Sequence, residues 1–170
     1  MKLRSVTTRP AARLRNRDIA ELAVMVRFGE LVVAVGAQRV SRIVTAEEAV
    51  PAPGAAPSVK IDGAVLPAWN LGALLGLAGP PAAWLVMTTG DEPGAARIAL
   101  GTGPCIAVAS HDAISPLPPG VVGVPTAAVV GVFVTDAALR DRGVGPLGVR
   151  IDPMRLIGAS ALAAARRGAR

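Results

Sequence analysis

Two stretches of this chain, residues 63–90 and 113–135, contain no Asp, Glu, Lys or Arg. What interrupts them decides what they can become. The first is broken by Pro67, Pro80 and Pro81, the second by Pro116, Pro118, Pro119 and Pro125, and both are rich in glycine. A bilayer-spanning helix needs about 20 apolar residues without such breaks. Short apolar strands separated by turns fit the same composition. The N-terminus carries Arg and Thr with no apolar segment behind them, which is not a secretory signal. The expected location is cytoplasmic, without membrane insertion.

The rest of the chain repeats this rhythm. Leu22–Phe28 and Leu31–Gly36 are strand-like runs joined by Gly29-Glu30, a two-residue hairpin turn. Val40–Val44 is short and amphipathic, either a helical turn or a strand. Residues 45–57 form a Pro/Ala/Gly-rich connection in which Glu47-Glu48 reads as a solvated turn. Val59–Trp69 reads as two strands around Asp62-Gly63. Asn70 is positioned to cap a helix of about two turns, stopped at Gly79-Pro80-Pro81. Strands are expected at Ala83–Thr89, at Arg97–Leu100 and Cys105–Ala109 as a third hairpin, and at Val129–Thr135 and Leu147–Ile151. Arg140-Asp-Arg142 reads as a charged tip. Asp152-Pro153 combines an N-cap with proline at the first helical position, and that helix is expected to reach Ala165. Some nine or ten short strands with few helical residues imply a barrel or sandwich.

The formal charge of +6 invites a nucleic-acid partner, so its distribution matters. Residues 1–17 hold six basic residues and no acid, residues 166–170 hold three more, and residues 18–165 carry 9 basic against 12 acidic, a net of −3. The ends therefore read as a flexible basic arm (1–17) and tail (166–170) around a single domain at 18–165. Nucleic-acid binding needs a basic face, which the body lacks. Two Trp, two Phe and no Tyr are too few for a base-stacking platform.

Chemistry is equally scarce. One cysteine, Cys105, and one histidine, His111, exclude a Cys/His zinc site and an internal disulfide, and no cofactor is expected. His111 and Asp112 are adjacent, so in a strand they would face opposite ways. Ser110 and Ser115 are the only nearby nucleophiles. The acids are scattered, with no pair spaced for acid–base work. Gly143-Val-Gly145-Pro-Leu-Gly148 matches GxGxxG formally, but it leads into a strand and contains Pro146, so it reads as a loop. Cys105, Trp69 and Trp84 read as core. No enzyme is expected.

One order of motifs is informative. Phe28-Gly29 is followed by LVVAV, by a V-x-x-I step (Val40 to Ile43), by a loop with Pro51, Pro53 and Pro57, and by Val59-Lys-Ile-Asp-Gly63. Three residues later comes Pro67, and then Asn70-Leu71. This order resembles the CheW-like domain of bacterial chemotaxis coupling proteins, with an apolar–Arg–Gly–x–x–x–Pro–x–x–Asp–Leu run at the same place. Arg97–Val108 and Val149–Ile157 resemble the family's second-barrel hairpin and closing strand with its helix start, and the match covers about 22–160. The resemblance implies an all-β fold of two packed five-stranded β-barrels, with a short mid-chain helix and a C-terminal helix. It also implies a non-enzymatic adapter linking chemoreceptor signalling tips to the regulatory domain of a histidine kinase. A docking region is then expected at Val40, Arg42, Ile43, Val59, Ile61, Asp62 and Gly63.

The chain departs from the family twice. Asp62 stands where the family's run has Arg, and Arg42 where Glu is often found. The charges remain opposite with polarity reversed, so an Arg42–Asp62 ion pair is expected, worth roughly 0–1 kcal/mol if partly exposed. Reversed charge on a docking face costs more in recognition than in stability. It is compatible with an accessory coupler that has lost one partner. The rival readings are a motility or polarity scaffold without a receptor, and a nucleic-acid-associated protein working through its arm.

Overall fold

The computed structural model describes residues 22–54, 56–77, 79–109 and 128–158. The arm, the tail, Ser110, His111, Asp112, Ser115 and the helix beyond 158 lie outside the described residues. Eleven strands fall within them: β1 (Ala23–Phe28), β2 (Leu31–Gly36), β3 (Val40–Thr45), β4 (Val50–Pro51), β5 (Ser58–Ile61), β6 (Ala64–Asn70), β7 (Ala83–Thr88), β8 (Arg97–Thr102), β9 (Cys105–Ala109), β10 (Val129–Val134) and β11 (Leu147–Ile151). Helical segments are few: α1 (Leu71–Leu74), α2 (Ala137–Arg140) and α3 (153–158).

The strands form a first sheet in the order β10-β11-β2-β1-β9 and a second in the order β3-β7-β8-β6-β5-β4. The all-β class with two packed sheets is as expected. The sixth strand of the second sheet is the two-residue β4, inside the segment read as a plain connection. Val40–Val44, left open between helix and strand, is β3, paired antiparallel with β7.

Side-chain alternation distributes three cores. Val24, Val26, Val33 and Val35 point from β1 and β2 into a central layer, where they meet Leu85 and Met87 of β7 and Ile98 and Leu100 of β8. Their neighbours Ala23, Met25, Val32 and Ala34 face the other way, onto Phe133 and Leu139. That second cluster draws on both β9 and β10, the two edges of the first sheet, so the sheet curls around it. The second sheet curls likewise: Val44 of its β3 edge shares a core with Ala49, Val59 and Ile61 at its other edge.

Local signals set the joints. The β5–β6 turn has Asp62 at φ 51° and Gly63 at φ 81°, the left-handed pair that a two-residue hairpin needs. Asn70 accepts from the Ala73 N–H at 3.2 Å, as its capping role requires. The helix then ends earlier than the Gly-Pro-Pro stop. Gly76 sits at φ 74°, its N–H reaches the Ala73 carbonyl, and the Leu77 N–H reaches the Gly72 carbonyl, which is a Schellman closure. The Asp152 carboxylate accepts from the Met154 N–H at 3.0 Å at the start of α3.

The expected third hairpin is corrected. β8 pairs with β6 and β7, while β9 pairs with β1 in the other sheet, so Gly101–Pro104 is a crossover between sheets. The Arg27 N–H donates to the Pro104 carbonyl at 2.9 Å. A Cβ on Gly103 would collide with the Arg27 carbonyl oxygen, so glycine is needed for the strand to pass. Arg140, Asp141 and Arg142 are exposed, as a charged tip should be; just before them Asp136 caps α2 by accepting from the Leu139 N–H at 2.8 Å, and Leu139 plugs the core of the first sheet.

Candidate functional site

No group of three or more His, Cys, Asp or Glu side chains able to hold a metal occurs among the described residues. Cys105 is half-buried against the central layer, and burial pushes its thiol up, away from the reactive thiolate. Gly145, within the GxGxxG match, donates to the Glu30 carbonyl in a loop. The surface chemistry rests instead on charge pairs and exposed aliphatic side chains.

The seven expected docking residues divide. Arg42 leaves β3 at the seam of the second sheet and pairs with Asp62 on the β5–β6 turn, so the expected ion pair forms. Its other terminal nitrogen lies 3.4 Å from Glu48. Glu48 in turn accepts from the Thr45 N–H at 2.7 Å and the Thr45 hydroxyl at 3.0 Å, closing a capping box over residues 45–48. The Thr45 amide and hydroxyl, then Arg42, hold the Glu48 carboxyl below its ordinary range. The T-x-x-E spacing that signals this box is present in the sequence at Thr45–Glu48.

Ile43 is exposed (37%), Gly63 is exposed at the turn, and Val40 is half-buried against the central layer. Val59 and Ile61 are corrected: at 5% and 3% exposure they are enclosed in the core of the second sheet. Lys60 lies between them, and its ammonium must reach water, so alternation turns both neighbours inward. They support the seam from beneath and cannot touch a partner.

A larger apolar surface lies on the first sheet. Val26 pairs with Val33, Val33 with Val149 and Val149 with Val132, a row across β1, β2, β11 and β10 on the face that forms the central layer. Val26 and Val33 are fully buried, while Val149 and Val132, toward the β10 edge, are only half-buried. The next row carries Phe28 and its partner Leu31, both packed against the central layer, then Leu147 and its partner Val134. Leu147 is 56% exposed and Val134 63%. The interior face of the sheet therefore runs out into solvent as an aliphatic shelf.

A second charge pair pins the connection between β2 and β3 to the second sheet. Arg39, just before β3, donates to Asp91 in the β7–β8 turn at 2.9 and 3.2 Å. This hydrogen bonding lowers the Asp91 carboxyl and raises the Arg39 guanidinium.

The sequence matches no family model, and no curated protein matches it. The structure is similar to the crystal structure of scaffolding protein TtCheW from Thermoanaerobacter tengcongensis, with a TM-score of 0.58 over 88% of this chain and 90% of that one, at 16% identity. The likeness establishes a common fold. No helix among the described residues is long and apolar enough to cross a membrane.

Proposed function

We propose that this chain is a non-enzymatic adapter that joins a chemoreceptor signalling tip to the regulatory domain of a histidine kinase. The observation that carries the reading is the aliphatic shelf of the first sheet, on a fold similar to that of a scaffolding protein. A receptor tip is a bundle of helices, and a helix with an aliphatic stripe can bury Val134, Leu147, Val132 and Leu31 together. Fully burying one such side chain is worth about 1.5–3 kcal/mol, so a few of them supply a useful affinity once the cost of association is met.

The seam of the second sheet is the second docking element, formed by Arg42, Asp62, Gly63 and Ile43, with Val40 behind them. Its polarity at the turn tip is acidic, the reverse of the resembled family. A partner adapted to an arginine there meets like charge, so the adapter is selective for its own partners.

Two titrations test the reading, one with a purified receptor signalling tip and one with a kinase regulatory domain. Binding of both is expected. The double substitution Val134→Lys with Leu147→Asp should weaken the receptor tip by at least about tenfold with little change in stability, since both side chains are largely exposed and the new cross-strand pair carries opposite charges. Binding of neither partner by the wild-type chain would remove the adapter reading.

A further inference from the structure

The opposite face of β1 carries a different chemistry. Phe28 belongs to the shelf, so its neighbour Arg27 points the other way, on the side of Ala23 and Met25. There its guanidinium Nη1 donates to the Arg142 carbonyl at 2.7 Å. The Nη1 of Arg142 in turn donates to the Ile106 carbonyl on β9. Two guanidiniums are thus tethered at one end of the first sheet, each by a main-chain oxygen. Neither forms an ion pair with any described carboxylate. The nearby Asp136 carboxylate is engaged in capping α2.

A guanidinium presents five N–H donors, and one bond to a carbonyl fixes its plane while leaving an edge for a bidentate carboxylate. The base is rigid as well, since the Arg27 main chain is clamped between the Pro104 carbonyl and the Gly103 crossover. Preorganised donors lose little entropy on binding. An extended polyanion such as nucleic acid is disfavoured, because residues 18–165 carry a net charge of −3.

We propose that Arg27 and Arg142 form a carboxylate-binding docking site for an acidic segment of the adapter's second partner, the kinase regulatory domain. This rests on the adapter reading, and it adds to the seam of the second sheet a contact on the face of the first sheet opposite the shelf. The shelf takes an aliphatic helix, and the arginine pair takes Asp or Glu side chains.

The test is calorimetric titration of the kinase regulatory domain and, separately, of the receptor tip into wild-type protein and into the double variant Arg27→Gln with Arg142→Gln. The variant should bind the kinase domain at least about thirtyfold more weakly, the loss that follows when hydrogen-bonded charge pairs are truncated. Its affinity for the receptor tip should hold within about twofold, which also shows that it is folded. An unchanged kinase affinity in the variant would overturn the site and leave the adapter reading standing. Wild-type protein that binds neither partner would overturn both.

If the variant also loses the receptor tip, the wild-type protein decides the matter. The Nε–Hε resonances of Arg27 and Arg142 should shift when the kinase domain is added and stay in place when the receptor tip is added. Resonances that do not move with a bound kinase domain would equally overturn the site.

Discussion

At the residue scale the Arg42–Asp62 pair shows how much a contact can specify while contributing little to stability. Both side chains are partly in water, and Arg42 is shared with Glu48. A double-mutant cycle on Arg42→Ala and Asp62→Ala, read by urea unfolding, should therefore give a coupling of about 0–1 kcal/mol. A coupling above about 2 kcal/mol would mean the seam is far better shielded than its exposure indicates. Gly103 is the contrasting case. It has no side chain of its own, yet Gly103→Ala drives a methyl group into the Arg27 carbonyl, where backbone rather than a flexible side chain must move. Overpacking of that kind costs about 1–3 kcal/mol. A midpoint in urea equal to wild type would show that the crossover has slack. The pair was legible in the sequence because resemblance placed two opposite charges in register. The glycine was not, because its partner is 76 residues away and a Gly-Thr-Gly-Pro run serves hairpins and crossovers alike.

At the scale of elements, most strands announced themselves through β-branched runs bounded by glycine, and β2 and β11 begin and end where their sequence patterns do. The short helical pieces were harder, because a single turn has no periodicity to read and is visible only through its caps. Asp136, and Thr45 with Glu48, were such caps. The Thr45–Glu48 box makes a pH prediction. The folded state holds the Glu48 carboxyl below its ordinary value, so its stabilisation is fully present above the unfolded pKa and is lost as pH falls through the folded one. Wild-type stability should therefore decline below about pH 4.3 more steeply than that of Glu48→Gln, while the variant is the less stable of the two at neutral pH. Urea midpoints collected across the acid range would check this, and parallel curves would remove Glu48 as a contributor. The misplaced docking residues Val59 and Ile61 were also readable at this scale. On a four-residue strand with Lys60 between them, inward is the only direction that keeps the ammonium in water.

At the scale of the whole molecule, the aliphatic shelf could not have been read from any one segment. It exists because β11 pairs in parallel with β2 across more than a hundred residues, bringing Leu147 and Val134 alongside Leu31. The same long-range pairing builds the central layer from both sheets, which predicts how the molecule unfolds. Neither sheet can lose that layer without exposing Val26 and Val33 on one side and Leu85 and Leu100 on the other. Both tryptophans, Trp69 and Trp84, belong to the second sheet, so their fluorescence reports on that sheet, while far-ultraviolet circular dichroism reports on both. A single cooperative unit requires the two signals to trace one urea transition. Leu100→Ala, which opens a cavity in the shared layer, should lower stability by about 2–5 kcal/mol and move both signals together. Two separated transitions, or a fluorescence curve that shifts while the dichroism curve keeps an unshifted phase, would mean that the sheets fold as independent units joined at a weak interface. The shelf and the arginine pair would then sit on a sheet whose stability owes nothing to its neighbour.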